Sequence, residues 1–145
     1  MSIELVSEST PELVSAINKL VPQLSSSTPE LSAATIESFV NQESVYLFVY
    51  RTDDPDAQIL GMLTLATFDI PTGKRAWIED VVVDAAARGH GAGLGLVEAA
   101  VEHAKAIGSK SVDLTSRPAR EAANRLFKRA GFVHREKIVY RYHGK

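Results

Sequence analysis

The residues best able to do chemistry lie between positions 77 and 96. Arg88 is followed by glycines at 89, 91, 93 and 95, and just upstream Glu79 and Asp80 interrupt a β-branched run of Ile78, Val81, Val82 and Val83. A guanidinium offers a planar fork of donors that suits phosphate. Glycines let backbone amides come close to an anion and accept positive φ. A helix opening at such a loop adds unpaired N–H groups and the positive end of its dipole. The two carboxylates suit a different task, taking a proton from an incoming group. Burying either inside an apolar strand would be costly without a partner.

The flanking sequence supplies elements to hold these groups. Residues 77–83 read as a strand buried on both faces of a sheet. Leu94, Leu96, Val97, Ala100, Val101 and Ala104 recur at helical spacing, on an apolar face wide enough to lie on that sheet. The layout is therefore strand, glycine loop, helix. Two phosphate loops do not fit it. The dinucleotide pattern G-x-G-x-x-G fails because leucine stands at the third glycine, and the triphosphate loop fails because no glycine here precedes Lys and then Ser or Thr.

What remains, Arg88-x-x-Gly91-x-Gly93 directly after a hydrophobic strand, resembles motif A of the GNAT superfamily of acyl-CoA-dependent N-acetyltransferases. Residues 120–132 extend the likeness. In that superfamily a segment N-x-x-A-x-x-x-Y-x-K-x-G-F often follows motif A, and here Ala123, Gly131 and Phe132 match it. Arg120 stands in place of the Asn, Phe127 in place of the Tyr and Arg129 in place of the Lys. The resemblance implies acetyl-CoA as cosubstrate; His134 and His143 lack metal-ligand spacing, so no metal site is expected. It implies pyrophosphate contacts from Arg88, Gly89, His90, Gly91, Ala92, Gly93 and Leu94, although a solvated ring is the plainer reading of His90. It further implies a pantetheine arm along Val81, Val82 and Val83, with Asn124 and Phe127 also set beside the cofactor. Arg117 and Arg120 flank a helix start, where a cation is unfavourable for the dipole unless a cofactor phosphate offsets it, so both are candidate phosphate contacts beside the plainer reading of exposed arginines. Glu79 is the first candidate for the catalytic base and Asp80 the second. Adjacent strand residues point to opposite faces, so only one of them lines the site unless a bulge intervenes.

Composition narrows the partners. With 145 residues the chain reads as one domain, 1–145. A net charge of −2 and no basic block argue against nucleic acid. The N-terminus carries Glu4 and no long apolar run, so neither a signal peptide nor a membrane span is expected. The absence of cysteine excludes disulfides and thiol nucleophiles and suits a cytoplasmic protein.

Taken in order, Ser2 to Val6 reads as a short strand. Thr10-Pro11 starts a helix that Pro22 closes, and Thr28-Pro29 starts a second with Leu31, Thr35 and Phe39 inward. Ser44 to Arg51, Gln58 to Phe68 (with Gly61 as a bulge marker) and the strand carrying 77–83 form an antiparallel meander. The long helix after the loop ends at Gly108. Ser111 to Ser116 is then a strand, Pro118 begins another helix, and Phe132 to His143 is a last strand. The expected class is α/β (α+β): a GNAT-like mixed, mostly antiparallel twisted sheet flanked by helices, in the order β-α-α-β-β-β-α-β-α-β. The function expected from the resemblance is acetyl transfer to a primary amine by direct attack in a ternary complex. A non-catalytic acyl-CoA-binding regulatory module is the alternative. The small-molecule or peptide amine is not encoded in any motif, and oligomeric state stays open, a homodimer through the C-terminal strands being compatible with the pattern.

Overall fold

The computed structural model describes residues 2–144. Five strands make one sheet in the order β1-β2-β3-β4-β5: Ser2–Leu5, Val45–Arg51, Ile59–Ile70, Gly73–Val83 and Ser111–Asp113. The first four are antiparallel, and β5 joins β4 in parallel. The helices are α1 (Pro11–Leu24), α2 (Ala33–Val40), α3 (Ala92–Ala106) and α4 (Glu121–Arg129).

Alternation along the strands sorts the core into two layers. Phe48, Tyr50, Leu63, Leu65, Ala76 and Ile78 face α3 and α4, where they meet Leu96, Val97, Ala100 and Phe127. Leu47, Val49, Met62 and Val82 face the other way, onto Leu13, Ile17 and Leu20 of α1 and Ile36 of α2. Gly61 lies under α3. A Cβ there would come within 3.3 Å of Leu96 Cδ1 and of Tyr50 Cβ, so helix–sheet packing explains this glycine. The bulge expected at this point lies beside it, where the β2–β3 register shifts between Tyr50 and Arg51. Arg51 ties three elements together by donating to Glu4 on β1, to both carboxylate oxygens of Glu12 on α1, and to the Ala57 carbonyl.

Several element boundaries differ from the sequence reading. Pro22 does not close α1, which continues to Leu24. The helix expected at Thr28-Pro29 begins four residues later, capped by Ser32, whose Oγ accepts from Thr35 N–H at 3.1 Å. The cause is a long-range clamp: Asn18 on α1 accepts from Leu31 N–H at 2.8 Å and donates to Leu31 O at 2.9 Å. Those bonds hold the connector extended, and Ile36 rather than Thr35 becomes the buried residue of α2. Strand β5 stops at Asp113, and α4 starts at Glu121 rather than at Pro118. The strand expected at 132–143 does not form in the single chain. Beyond Phe132 the chain joins no sheet, and Tyr140 and Tyr142 are 87% and 93% exposed. Strand propensity without an adjacent strand leaves such a segment unpaired. The observed order is therefore β-α-α-β-β-β-α-β-α.

Candidate active site

Strand β4 carries the acids, and its geometry there is irregular. Thr64 pairs with Glu79 and Met62 with Val82, so one residue of β3 faces two of β4. This is a bulge. Asp80 absorbs it by taking φ +51°, a left-handed value that Asp tolerates better than most residues. Both acids are exposed as a result. Glu79 shares its face with Trp77 and Val82, on the α1–α2 side of the sheet, while Val81 and Val83 pack toward α3. The bulge also coincides with the loss of a neighbour. Strand β5 pairs with β4 only from Arg75 to Trp77, so beyond that point the outer edge of β4 has no strand beside it. Its backbone groups are available to an extended ligand.

The chain then enters the loop through Asp84, a residue the sequence reading did not single out. Asp84 is 7% exposed. Its carboxylate accepts from Ala86 N–H at 2.9 Å, capping a short 3₁₀ turn at Ala85–Ala87, and from Gln23 Nε2 of α1 at 3.0 Å, with Lys19 Nζ at 3.8 Å. An Asp immediately before a run of alanines was the available signal, since Asp caps turns with its side chain. These contacts fasten the end of α1 to the start of the loop. The Ala86 amide, then Gln23, then the positive charges of Lys19 and Arg88 hold the Asp84 carboxyl below its ordinary value of 3.8. A carboxylate depressed in this way stabilises the fold at pH above the ordinary value, and the contribution fades as pH falls through the lower folded-state value. The thermal midpoint of the wild type should therefore drop more steeply below pH 3.8 than that of Asp84→Asn, which keeps an acceptor but has no proton to gain. Parallel midpoint-versus-pH curves for the two proteins would refute the assignment.

The loop leaves its backbone open to a ligand. Gly89 and Gly91 adopt φ of +87° and +77°, and a Cβ on either would meet no protein atom within 4 Å. Gly91 caps α3 without any side-chain bond, and the first intrahelical bond runs from Gly95 N–H to Gly91 O. The N–H groups of Ala92, Gly93 and Leu94 are thus the unpaired donors of the first turn. Arg88 and His90 are exposed beside them. Gly93 has another reason to be glycine: its Cβ would lie 2.8 Å from Leu126 Cδ1, so it lets α4 pack closely on α3.

On α4, Arg120, Asn124 and Phe127 sit in three different settings. Arg120 is exposed at the N-cap position. Asn124 uses its side-chain amide internally, donating to Arg117 O at 3.0 Å and Arg120 O at 2.8 Å, so it fixes the start of the helix. Phe127 is 9% exposed and packs edge-on to Phe132, with ring centroids 6.3 Å apart. His103 of α3 lies against Tyr46 and Phe48, away from the loop residues in sequence and packed into the sheet. Among the described residues no group of three or more His, Asp and Glu is placed to hold a metal ion, and no helix is long and apolar enough to cross a membrane. A groove of about 900 Å³ lies between α1 and α2, lined by Thr10, Val14, Asn18, Glu30 and Glu37 among others. None of the loop residues line it.

Residues 13–132 match the family model described as Acetyltransferase (GNAT) family. A 63-residue stretch is 46% identical to the Oryza sativa subsp. japonica protein named Probable glucosamine 6-phosphate N-acetyltransferase 2, covering 43% of this chain and 36% of that protein. The match thus spans about a third of the relative's length. Among solved structures, an aminoglycoside acetyltransferase from an uncultured soil metagenomic sample superposes with a TM-score of 0.85 at 20% identity, over 99% of this chain and 95% of that one. Glucosamine-6-phosphate N-acetyltransferase from Arabidopsis thaliana gives 0.80 at 18% identity, over 99% and 100%. At those identities the structures show a shared fold.

Proposed function

The chain belongs to the GNAT acetyltransferase family, and from that membership we propose that it acts as one domain, moving an acetyl group from acetyl-CoA to a primary amine by direct attack in a ternary complex. The observation that carries this reading is the bulge at Asp80, where β4 loses its β5 neighbour next to an anion-ready loop. Arg88 and the amides from Gly89 to Leu94 would hold the pyrophosphate. The free backbone of Val81, Val82 and Val83 would align the pantetheine arm, and Arg120 at the head of α4 would meet a phosphate. Bound there, the thioester supplies an activated acetyl group. A backbone N–H near Val81 would stabilise negative charge developing on the acyl oxygen.

An ammonium of lysine-like pKa, about 10, must lose a proton before it attacks. Glu79, exposed on the α1–α2 face, would accept it directly or through water, with Asp80 as the alternative acceptor. The new bond joins amine nitrogen to acetyl carbon as the carbon–sulfur bond breaks, and the thiol is released. The Oryza sativa relative and the Arabidopsis thaliana structure are named glucosamine 6-phosphate N-acetyltransferases and the metagenomic structure an aminoglycoside acetyltransferase, so glucosamine 6-phosphate and aminoglycosides belong in the first acceptor panel beside polyamines, amino acids and peptides. A cytoplasmic location suits a chain without cysteine.

The direct test is that amine panel with acetyl-CoA, scored by free thiol. Release with at least one amine is expected. Tight CoA binding with no thiol from any amine would favour a non-catalytic acyl-CoA-binding module, and a thermal shift with ATP or NAD but none with CoA would overturn both readings.

Phe127 gives a second check. A tyrosine at this position could protonate the departing sulfur, and phenylalanine cannot. A thiol has a pKa of about 8.5, so the thiolate leaves readily near neutral pH and an acid adds little. Phe127→Tyr should therefore raise turnover by less than about tenfold. An inert wild type made active by Phe127→Tyr alone would overturn the catalytic reading. Tyr140→Phe and Tyr142→Phe belong in the same series, since either hydroxyl could serve instead.

A further inference from the structure

The loop that would receive the pyrophosphate is tethered at few points. Gly89 and Gly91 have no neighbour where a side chain would begin. The turn before them bonds to itself, Ala87 N–H to Asp84 O and Arg88 N–H to Ala85 O. Ala87 is buried and supplies packing, but a methyl group sets no direction. Among the described residues, the hydrogen bonds that tie residues 84–90 to other elements all begin at Asp84. Its N–H donates to Leu60 O of β3 at 2.8 Å, and its Oδ2 accepts from Gln23 Nε2 of α1 at 3.0 Å. The two carboxylate oxygens thus do separate work. Oδ1 caps the turn through Ala86 N–H, while Oδ2 reaches out to α1. A carboxylate held at both oxygens is fixed about χ2, so the place of α1 is passed to the Ala86 amide and the loop after it.

We propose that Gln23 is a positioning residue for cofactor binding, acting through Asp84 to hold the amides between Arg88 and Leu94 in place before the pyrophosphate arrives. This rests on the reading of that loop as the CoA site. The Gln23 side chain is exposed, yet its amide is drawn back over its own helix, 3.5 Å from Lys19 O, toward a buried acid 61 positions on. Lys19 does not duplicate it. Its Nζ stands 3.8 Å from the same oxygen on a side chain 59% exposed, and a flexible, solvated cation sets charge more than direction. A loop that is not held in advance must be ordered when the ligand binds, and affinity falls by that cost. Because α1 packs on the face that carries Glu79, the cofactor loop is braced from the acceptor side of the sheet.

Gln23→Met keeps the length and helix propensity of the side chain and removes the donor. Calorimetry with CoA should give a dissociation constant about 3- to 30-fold above that of the wild type. On the best acceptor, KM for acetyl-CoA should rise while kcat at saturation stays near the wild-type value. In an Asp84→Ala background Gln23→Met should have no further effect, because its partner is gone. Replacing an exposed side chain leaves no cavity, so the single variant decides the matter even where Asp84→Ala fails to fold. A lowered thermal midpoint with unchanged CoA affinity would make the bond purely structural and end the proposal. Equal losses with and without the Asp84 carboxylate would end it as well. Arg88→Ala tests the underlying reading separately. Weakened binding there with none in Gln23→Met removes this proposal alone, whereas a wild type that binds no CoA removes both.

Discussion

Glu79→Gln should lower turnover by about 10²-fold on the best acceptor, with CoA affinity unchanged. The size follows from the job assigned to the carboxylate. Attack requires a neutral amine, and a positioned proton acceptor contributes about 10²–10⁴-fold, of which water recovers a part. Glutamine keeps the volume and the acceptor oxygen of Glu79 but cannot take a proton. The acidic limb of the pH–rate profile should therefore change shape as well as height. Asp80→Asn is the informative comparison. The bulge leaves both acids exposed, so strand alternation no longer decides between them. Loss confined to the Asp80 variant would transfer the role to that residue. If neither variant slows the reaction, the amine arrives deprotonated or gives its proton to water.

How far these residues were legible depended on how local their causes are. The strand, glycine loop and helix from Trp77 to Ala106 could be read directly, because β-branched runs, glycine and helical spacing act within a few residues. The start of α2 could not, because Asn18 and Leu31, thirteen positions apart, hold the preceding connector extended against its own capping signal. The bulge at Asp80 stood in the sequence only as an exception to strand alternation. It sits at an aspartate rather than a glycine, and arises from the register between β3 and β4. Gly89 and Gly91 stand open with positive φ, whereas a Cβ at Gly93 would also meet Leu126 Cδ1 of α4, a contact set by packing between helices. The tail shows the reverse error: residues 132–143 have strand propensity, but propensity does not supply a partner.

Arg88→Ala should weaken CoA binding measured by calorimetry by about 1.5–3 kcal/mol, the range for a hydrogen bond to a charged group. In affinity that is roughly 10- to 150-fold. The side chain is exposed and makes no direct ion pair or hydrogen bond among the described residues, so its removal leaves no buried partner behind. Its link to the fold is the charge it presents toward Asp84, a minor contribution beside the Ala86 amide and Gln23. The thermal midpoint without ligand should accordingly stay near the wild-type value. The fall in affinity should shrink as salt is raised, because part of the arginine's contribution is a screened attraction. Gly91→Val is a poorer probe of the same contact. It would strain a backbone held at φ +77° whether or not a phosphate is bound, so a weakened complex would have two explanations. Unchanged CoA affinity in Arg88→Ala, with the fold intact, would take the pyrophosphate away from this loop and with it the assignment of the β4 edge beside it.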